Sequence, residues 1–236
     1  MILGSKGIVA FLGGLALVGL IVIGYSLLRQ LGCEGQMVNI SYTPSPQQEI
    51  RGEQSVGQTF VAPRNDLNRV DVLLQSYGRQ NTRDVTFRLL EIPGGANDLS
   101  QTEEIYNTTF NAQAARNQTW YTFRFPPVAN SAGKTYLLVL QSPTSEPGNA
   151  ITVGGIDEDK YPLGSAFVGP QPIFGDITFR ACFQLSAAEK FQFLATQLTQ
   201  NRPGLWGNIT FYVLSLGIYL LLLIGFFWRL VKFVLD

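Results

Sequence analysis

Two long apolar segments, one near each end of the chain, most constrain how it can fold. Residues 7–28 run for 22 positions without a charge, and residues 209–227 run for 19. At about 1.5 Å per helical residue, both lengths suit the roughly 30 Å hydrocarbon core of a bilayer. Trp206 and Trp228 flank the second segment, which is typical of the aromatic belt at membrane surfaces. We therefore predict two transmembrane helices with a large domain inserted between them.

A cleaved signal is the alternative interpretation of the first segment. Its apolar run is longer than the usual signal core of about 7–15 residues, and no small-residue cleavage site follows it. Gly32 and Cys33 weakly resemble a lipoprotein cleavage site, but Arg29 and Gln30 interrupt the pattern. An uncleaved transmembrane helix is therefore the favoured interpretation.

Basic residues at the ends of the segments predict their orientation, because cytoplasmic flanks are enriched in lysine and arginine. Arg229 and Lys232 directly follow the second segment, and Lys6 precedes the first. One arginine on the opposite flank of each segment weakens this asymmetry. We expect a two-pass cell-membrane protein with both termini in the cytoplasm and an extracellular or periplasmic middle domain. The opposite orientation would place the middle domain in the cytosol.

The middle of the chain alternates between apolar and polar residues in short runs. In one run, Val85, Phe87 and Leu89 alternate with Thr86 and Arg88. This period of two is typical of half-buried strands, and turns rich in Pro and Gly separate the runs. We predict eight or nine strands, near residues 56–62, 68–75, 84–92, 102–110, 119–125, 134–141, 150–156, 164–168 and 175–184. Their spacing favours an antiparallel β-sandwich or barrel.

Three further segments complete the predicted organisation. The run YLLVL at 136–140 is apolar on both faces, which indicates a central strand covered on both sides or a strand facing a partner. Ser186 and Glu189 form a potential capping box for an amphipathic helix that lies near the membrane surface or packs on the sandwich. The predicted parts are a cytoplasmic N-terminus (1–6), a first transmembrane helix (7–28), an extended leader (29–55), a β-sandwich (56–185), a connector helix (186–205), a second transmembrane helix (206–228) and a cytoplasmic tail (229–236).

Composition excludes several classes of function. The chain has no histidine, which excludes Ser-His-Asp and Cys-His catalysis and every histidine-ligated metal site. Two cysteines are too few for a thiolate cage within one chain. Seventeen basic residues balance seventeen acidic residues, so there is no electrostatic case for binding nucleic acid. We predict that the protein is not an enzyme.

Short motifs in the middle domain carry a resemblance to a known type of fold. They are GQTF (57–60), VDVLL (70–74), VTFRLLE (85–91), YPLG (161–164) and GDITFR (175–180). In this order they resemble jelly-roll domains of the galactose-binding or carbohydrate-binding-module type, which occur in bacterial membrane proteins. The resemblance covers about residues 50–185. It implies a mainly β, jelly-roll-like antiparallel sandwich inserted between the two transmembrane helices, with carbohydrate as a possible ligand.

Candidate ligand-binding residues combine aromatic rings with planar polar groups, the side chains that bind sugars. The loop after the second strand contains Tyr77, Arg79 and Asn81, although the tyrosine could instead pack at the core edge with a solvated arginine. Trp120 lies on the outward register of its strand, where it could bind a ligand or lie beneath the leader. The resemblance adds Tyr161 of the YPLG motif.

An acidic turn provides the candidate metal site. Asp157 and Asp159 flank Glu158, and a loop with concentrated oxygen ligands suits a structural calcium ion. Consecutive carboxylates more commonly form a solvated turn without an ion. No other cofactor is predicted.

The two cysteines are expected to form a disulfide. Cys33 lies just beyond the first span, and Cys182 lies on the outward register of the last strand. Both are exoplasmic in the predicted topology, where disulfides persist. The alternatives are two free thiols or a lipidated Cys33.

Small residues in the first span predict a helix-packing face. Gly7, Ala10 and Gly14 recur at i, i+3 and i+7, which would allow a second helix to approach closely. The partner would be the second span or another membrane protein.

Taken together, the sequence predicts non-catalytic binding of carbohydrate or a cell-envelope polymer. The alternative is an accessory or scaffold subunit of a larger membrane complex.

Overall fold

The structure is a computed structural model that describes residues 13, 14, 18, 19, 22, 24, 31–34, 49–95 and 101–235. They belong to two compact units, which we describe separately. Residues 33–184 form the β domain, and the segments 1–32 and 185–236 form the helical unit.

Two antiparallel sheets build the β domain. The first sheet has the order β1-β13-β3-β6, with β8 also paired to β3, and the second has the order β11-β10-β2-β7-β4-β5. A separate pair joins β9 and β12. The strands are β1 (Cys33–Glu34), β2 (Val56–Val61), β3 (Leu67–Gln75), β4 (Asp84–Ile92), β5 (Glu103–Asn111), β6 (Thr119–Val128), β7 (Thr135–Gln141), β8 (Thr152–Val153), β9 (Gly155–Ile156), β10 (Ala166–Val168), β11 (Gln171–Ile173), β12 (Asp176–Ile177) and β13 (Phe179–Phe183).

The core lies between the inward faces of the two sheets. Phe87 of the second sheet stacks on Phe123 of the first, with ring centroids 3.8 Å apart. Phe60 and Phe179 make a second ring contact between the sheets, at 5.3 Å. The prediction of a mainly β, antiparallel domain is therefore confirmed.

The strand predictions differ from the structure at four places. The predicted strand 150–156 is divided into β8 and β9 at Gly154, and β1 lies in the segment predicted as an extended leader. The strand near 175–184 is divided, because Thr178 leaves the ladder and exchanges backbone hydrogen bonds with Gly154 and Leu73. The edge strand β11 was missed, because its sequence QPI contains a proline and shows no alternation. The run YLLVL was predicted to form a central strand. The structure confirms this, because β7 lies between β2 and β4.

Two α-helices, joined by a 3-10 turn (Gly204–Gly207), follow the β domain in sequence. Helix α1 (Ala187–Thr199) begins with the predicted capping box of Ser186 and Glu189. Helix α2 (Ile209–Leu235) extends beyond Trp228, the predicted end of the second span, so Arg229 and Lys232 are helical. Within the described residues, one helix is long and apolar enough to cross a membrane, over Ile209–Phe233.

Most of the predicted first span lies outside the described residues, including Gly7 and Ala10. Its described residues include helical Gly13 and Gly14. A Cβ atom built on Gly13 would meet Leu230 at 3.5 Å and Phe227 at 3.7 Å. A Cβ atom built on Gly14 would meet no atom of the described residues within 4 Å. Of these two described glycines, Gly13 therefore faces α2 and Gly14 does not, whereas the predictions for Gly7 and Ala10 are untested.

We expect Gly13→Ile to destabilise the helical unit. The added side chain would overpack the contact with α2, a change that typically costs about 1–3 kcal/mol. Gly14→Ile adds the same volume on an open side and is the matched control. Thermal unfolding of the full chain in lipid nanodiscs measures the difference. Equal melting temperatures for the two variants would contradict this helix contact.

Candidate functional site

Polar side chains cluster on one face of the first sheet, the face turned away from the core. Strand β3 lies between β13 and β6, and its buried residues Val70, Val72 and Leu74 alternate with outward residues. Cross-strand register places the outward residues of all three strands side by side. We call this set the outer face. Its members are Arg69, Asp71, Leu73, Trp120, Thr122, Arg124, Arg180 and Cys182.

A buried carboxylate stands at the centre of the outer face. Asp71 is only 3% exposed and lies between Arg180 of β13 and Thr122 of β6 in the register. Its Oδ1 accepts a hydrogen bond of 2.8 Å from the Thr122 hydroxyl, and its Oδ2 accepts one of 3.1 Å from Arg69 Nη2. The Arg69–Asp71 ion pair therefore neutralises the buried charge, as burial of a carboxylate requires.

Arg180 extends over β3 and stacks on Trp120. Its guanidinium carbon lies 3.7 Å from the centroid of the tryptophan ring, which is a cation–π contact. Burial lowers the pKa of the Arg180 guanidinium, an effect that Asp71 opposes and Arg69 adds to. In the described part of the chain no ion pair reaches Arg180, and its Nε is buried without a hydrogen-bond partner.

The outer face carries a surplus of positive charge. Of its three arginines, Arg69 is paired with Asp71, the single acidic member of the set. Arg124 is exposed, and no described acidic group forms an ion pair with it or with Arg180. Among the described residues, three positive charges and one negative charge therefore lie on this face.

The structure joins Cys33 and Cys182 by a disulfide, with Cα atoms 3.9 Å apart. The two residues pair across β1 and β13, so the bridge fastens the leader to the edge of the first sheet. Arg69 Nη2 lies 2.9 Å from the Cys33 sulfur. The Cys182 sulfur lies 4.0 Å from Asp71 Oδ2.

These groups also form a potential metal-ligand set. The ligand atoms of Cys33, Asp71 and Cys182 lie within 4.8 Å of one another, the one such group found among the described residues. The two sulfurs are bonded to each other, and Arg69 Nη2 contacts both Cys33 and Asp71. Because the guanidinium already provides the positive charge, the set does not suit a metal ion in this state.

The acidic turn proposed for calcium is exposed. Asp157 and Asp159 lie at the surface, and Glu158 pairs with Lys160. The structure does not bring either aspartate into a set of three acidic or cysteine ligands within the described residues. Calcium binding at this turn stays a prediction.

The predicted sugar-binding loop uses several of its polar groups within the domain, while Arg79 Nε and Asn81 Oδ1 are buried without a hydrogen-bond partner among the described residues. Arg79 Nη2 forms a 2.6 Å ion pair with Glu49 and donates to the Ala150 carbonyl at 3.0 Å. Its guanidinium lies 4.5 Å from the centre of the Tyr77 ring, and that ring remains 37% exposed. Asn81 is 1% exposed and donates to the Ser76 carbonyl at 3.2 Å. Arg79 and Asn81 therefore stabilise the loop.

Tyr161 makes interior contacts as well. Its hydroxyl lies 3.1 Å from the Val61 amide and 3.2 Å from the Val61 carbonyl. Its ring packs edge-on against Phe179, with centroids 5.6 Å apart. These contacts hold its loop against β2 and the core.

Sequence reasoning identified Trp120 on this face but missed its partners. Thr122, Arg124 and Arg180 each follow the alternation of their strands, so their outward direction was readable. That β6 and β13 both flank β3 is a long-range pairing without a local signal. Only this pairing brings Arg180 to Trp120 and Asp71.

Comparisons with known proteins do not assign this chain to a family. No protein-family model matches the chain, and no curated protein matches it. Among solved structures, it is similar to the crystal structure of Yersinia pseudotuberculosis-derived mitogen, at 11% identity and a TM-score of 0.27. That match covers 59% of this chain and 83% of the mitogen. A likeness of this size indicates nothing about ligand or activity.

Proposed function

We propose that this chain is a membrane-anchored, non-catalytic binding protein whose β domain binds carbohydrate or a cell-envelope polymer. In this proposal the domain is jelly-roll-like and lies outside the cytoplasm between two transmembrane helices, with both termini in the cytoplasm. The apolar helix α2 and the basic residues that follow Phe227 support this topology.

One observation carries the binding proposal. Trp120 is half-buried on an outward sheet face, with the Arg180 guanidinium stacked on it and Thr122 and Arg124 exposed along the same strand. An aromatic ring beside guanidinium donors and a hydroxyl oxygen that can still accept is a combination that suits saccharides, which have apolar ring faces and many hydroxyl groups. Of the other predicted ligand residues, Arg79, Asn81 and Tyr161 are engaged within the domain, and Tyr77 remains partly exposed.

We expect Trp120→Ala to remove saccharide binding while the domain stays folded. The test uses the full chain in phosphatidylcholine nanodiscs and a panel of neutral and acidic polysaccharides, including dextran, xylan and polygalacturonate. Affinity for any polymer that binds should fall at least tenfold. Trp206→Ala, at an exposed tryptophan outside the β domain, is the matched control and should leave affinity unchanged.

Two results would contradict the proposal. One is a wild-type chain that binds none of these polymers. The other is a Trp120→Ala chain that binds as well as the wild type.

The alternative function, an accessory or scaffold subunit of a membrane complex, is favoured by a different observation. The open side of the helix at Gly14 leaves room for another transmembrane helix. If this alternative holds, Gly14→Ile should change the assembly size of the protein extracted from its native membrane. An unchanged assembly size favours the binding module alone.

A further inference from the structure

The stacked Arg180 changes what Trp120 can offer to a ligand. A bare tryptophan ring binds the apolar face of a neutral sugar, but the guanidinium at 3.7 Å covers one side of this ring. The group presented there is a planar cation whose terminal nitrogens carry N–H donors in a fixed fork. That fork matches a carboxylate, which can accept two parallel hydrogen bonds.

The donors of Arg180 and Arg124 are not used within the domain. Among the described residues, neither side chain has a hydrogen bond or an acidic partner, whereas Arg69 is paired with Asp71. An anion on this face would accept hydrogen bonds from the terminal guanidinium nitrogens of both arginines and offset their positive charge.

The spacing of the two arginines favours a polymer over a small anion. Arg180 stacks at Trp120, and Arg124 lies four residues farther along β6. At about 3.3 Å per strand residue, these positions are roughly 13 Å apart. A single carboxylate cannot reach both positions, whereas an extended chain of sugars with repeated charges can. Thr122 lies between them on the same side, and its hydroxyl oxygen can accept a hydrogen bond while its proton is donated to Asp71.

We infer that the ligand of the outer face is an acidic polysaccharide that carries carboxylate groups, bound by Arg180 at Trp120 and by Arg124. This inference rests on the proposed function and specifies the class of polymer. Trp120 holds the Arg180 guanidinium in position, and Arg124 binds a second carboxylate along the same chain. Thr122 meets a sugar hydroxyl between the two charges.

The test compares two forms of one polymer on the full chain in phosphatidylcholine nanodiscs. Polygalacturonate carries a carboxylate on each sugar, and its fully methyl-esterified form keeps the same backbone without the charges. We expect at least tenfold tighter binding of the acidic form, with an affinity that falls as salt is raised. Arg124→Gln and Arg180→Gln should each weaken binding of the acidic form about tenfold and weaken binding of the ester by a clearly smaller factor.

Matched variants keep the result interpretable. Arg88→Gln makes the same change in net charge on the second sheet and should leave binding unchanged. Arg180→Lys keeps the charge without the planar fork and should bind the acidic polymer less tightly than wild type. Arg124 is exposed, so its substitution tests the inference even if Arg180→Gln fails to fold.

The outcomes separate this inference from the proposed function. Equal affinity for the acidic and esterified polymers would overturn the inference and leave saccharide binding in place. Binding of neither polymer would overturn both. Preferential binding of phosphatidylglycerol vesicles over polygalacturonate, lost in Arg124→Gln, would overturn the inference in favour of a lipid surface.

Discussion

Replacing Cys33 or Cys182 with serine is expected to lower the free energy of unfolding of the β domain by up to about 5 kcal/mol. The bridge joins residues 149 positions apart, and cross-linking so long a loop removes much of the entropy of the unfolded chain. It also holds β1, a strand of only two residues, against β13. Denaturant unfolding of the full chain, with and without reductant, measures the change.

The control measurements use the fact that both cysteines belong to one disulfide. Wild-type protein in reductant should unfold like either serine variant, and the double variant should match the single ones because all lack the same bond. Alkylation of denatured, unreduced wild-type protein should label neither cysteine. Full labelling of both thiols, or unfolding that reductant leaves unchanged, would contradict the bridge and weaken the exoplasmic assignment.

Local patterns in the sequence predicted the strands well because strand periodicity is a local property. The alternation of Val85, Phe87 and Leu89 with polar neighbours is enough to define β4 and its buried face. The same holds for the capping box at Ser186, where both partners lie within four residues. The two-faced apolar run of β7 also indicated its central position.

The candidate site depended on contacts between residues far apart in sequence. Arg79 resembled a free sugar-binding residue until the structure paired it with Glu49, 30 positions earlier. Arg180 lies 60 positions after Trp120, and only the strand order brings the two together. Gly13 and Gly14 show the same dependence on long-range contacts in a helix. Residue spacing predicts which small residues share a helix face, but it does not predict which face packs against α2.

Asp71→Asn is expected to lower the free energy of unfolding by about 3 kcal/mol, since breaking a buried ion pair typically costs about 3–5 kcal/mol. Asparagine keeps the size of the side chain and can still accept the hydrogen bond from Thr122. It removes the negative charge, so Arg69, whose side chain is 15% exposed, becomes an unpaired cation beside the disulfide. Denaturant unfolding of the oxidised protein measures the loss.

The expected loss of stability depends on the burial of the Arg69–Asp71 ion pair, so a solvent-exposed ion pair provides the control. Glu146→Gln breaks the ion pair with Arg83, where the glutamate side chain is 69% exposed, and should leave stability almost unchanged. Combining Asp71→Asn with Arg69→Met removes both charges, so the double variant should be more stable than Asp71→Asn alone. If Asp71→Asn is as stable as the wild type, Arg69 does not depend on this carboxylate. Because the substitution also removes the one negative charge of the outer face, the folded variant should bind polygalacturonate more tightly than the wild type.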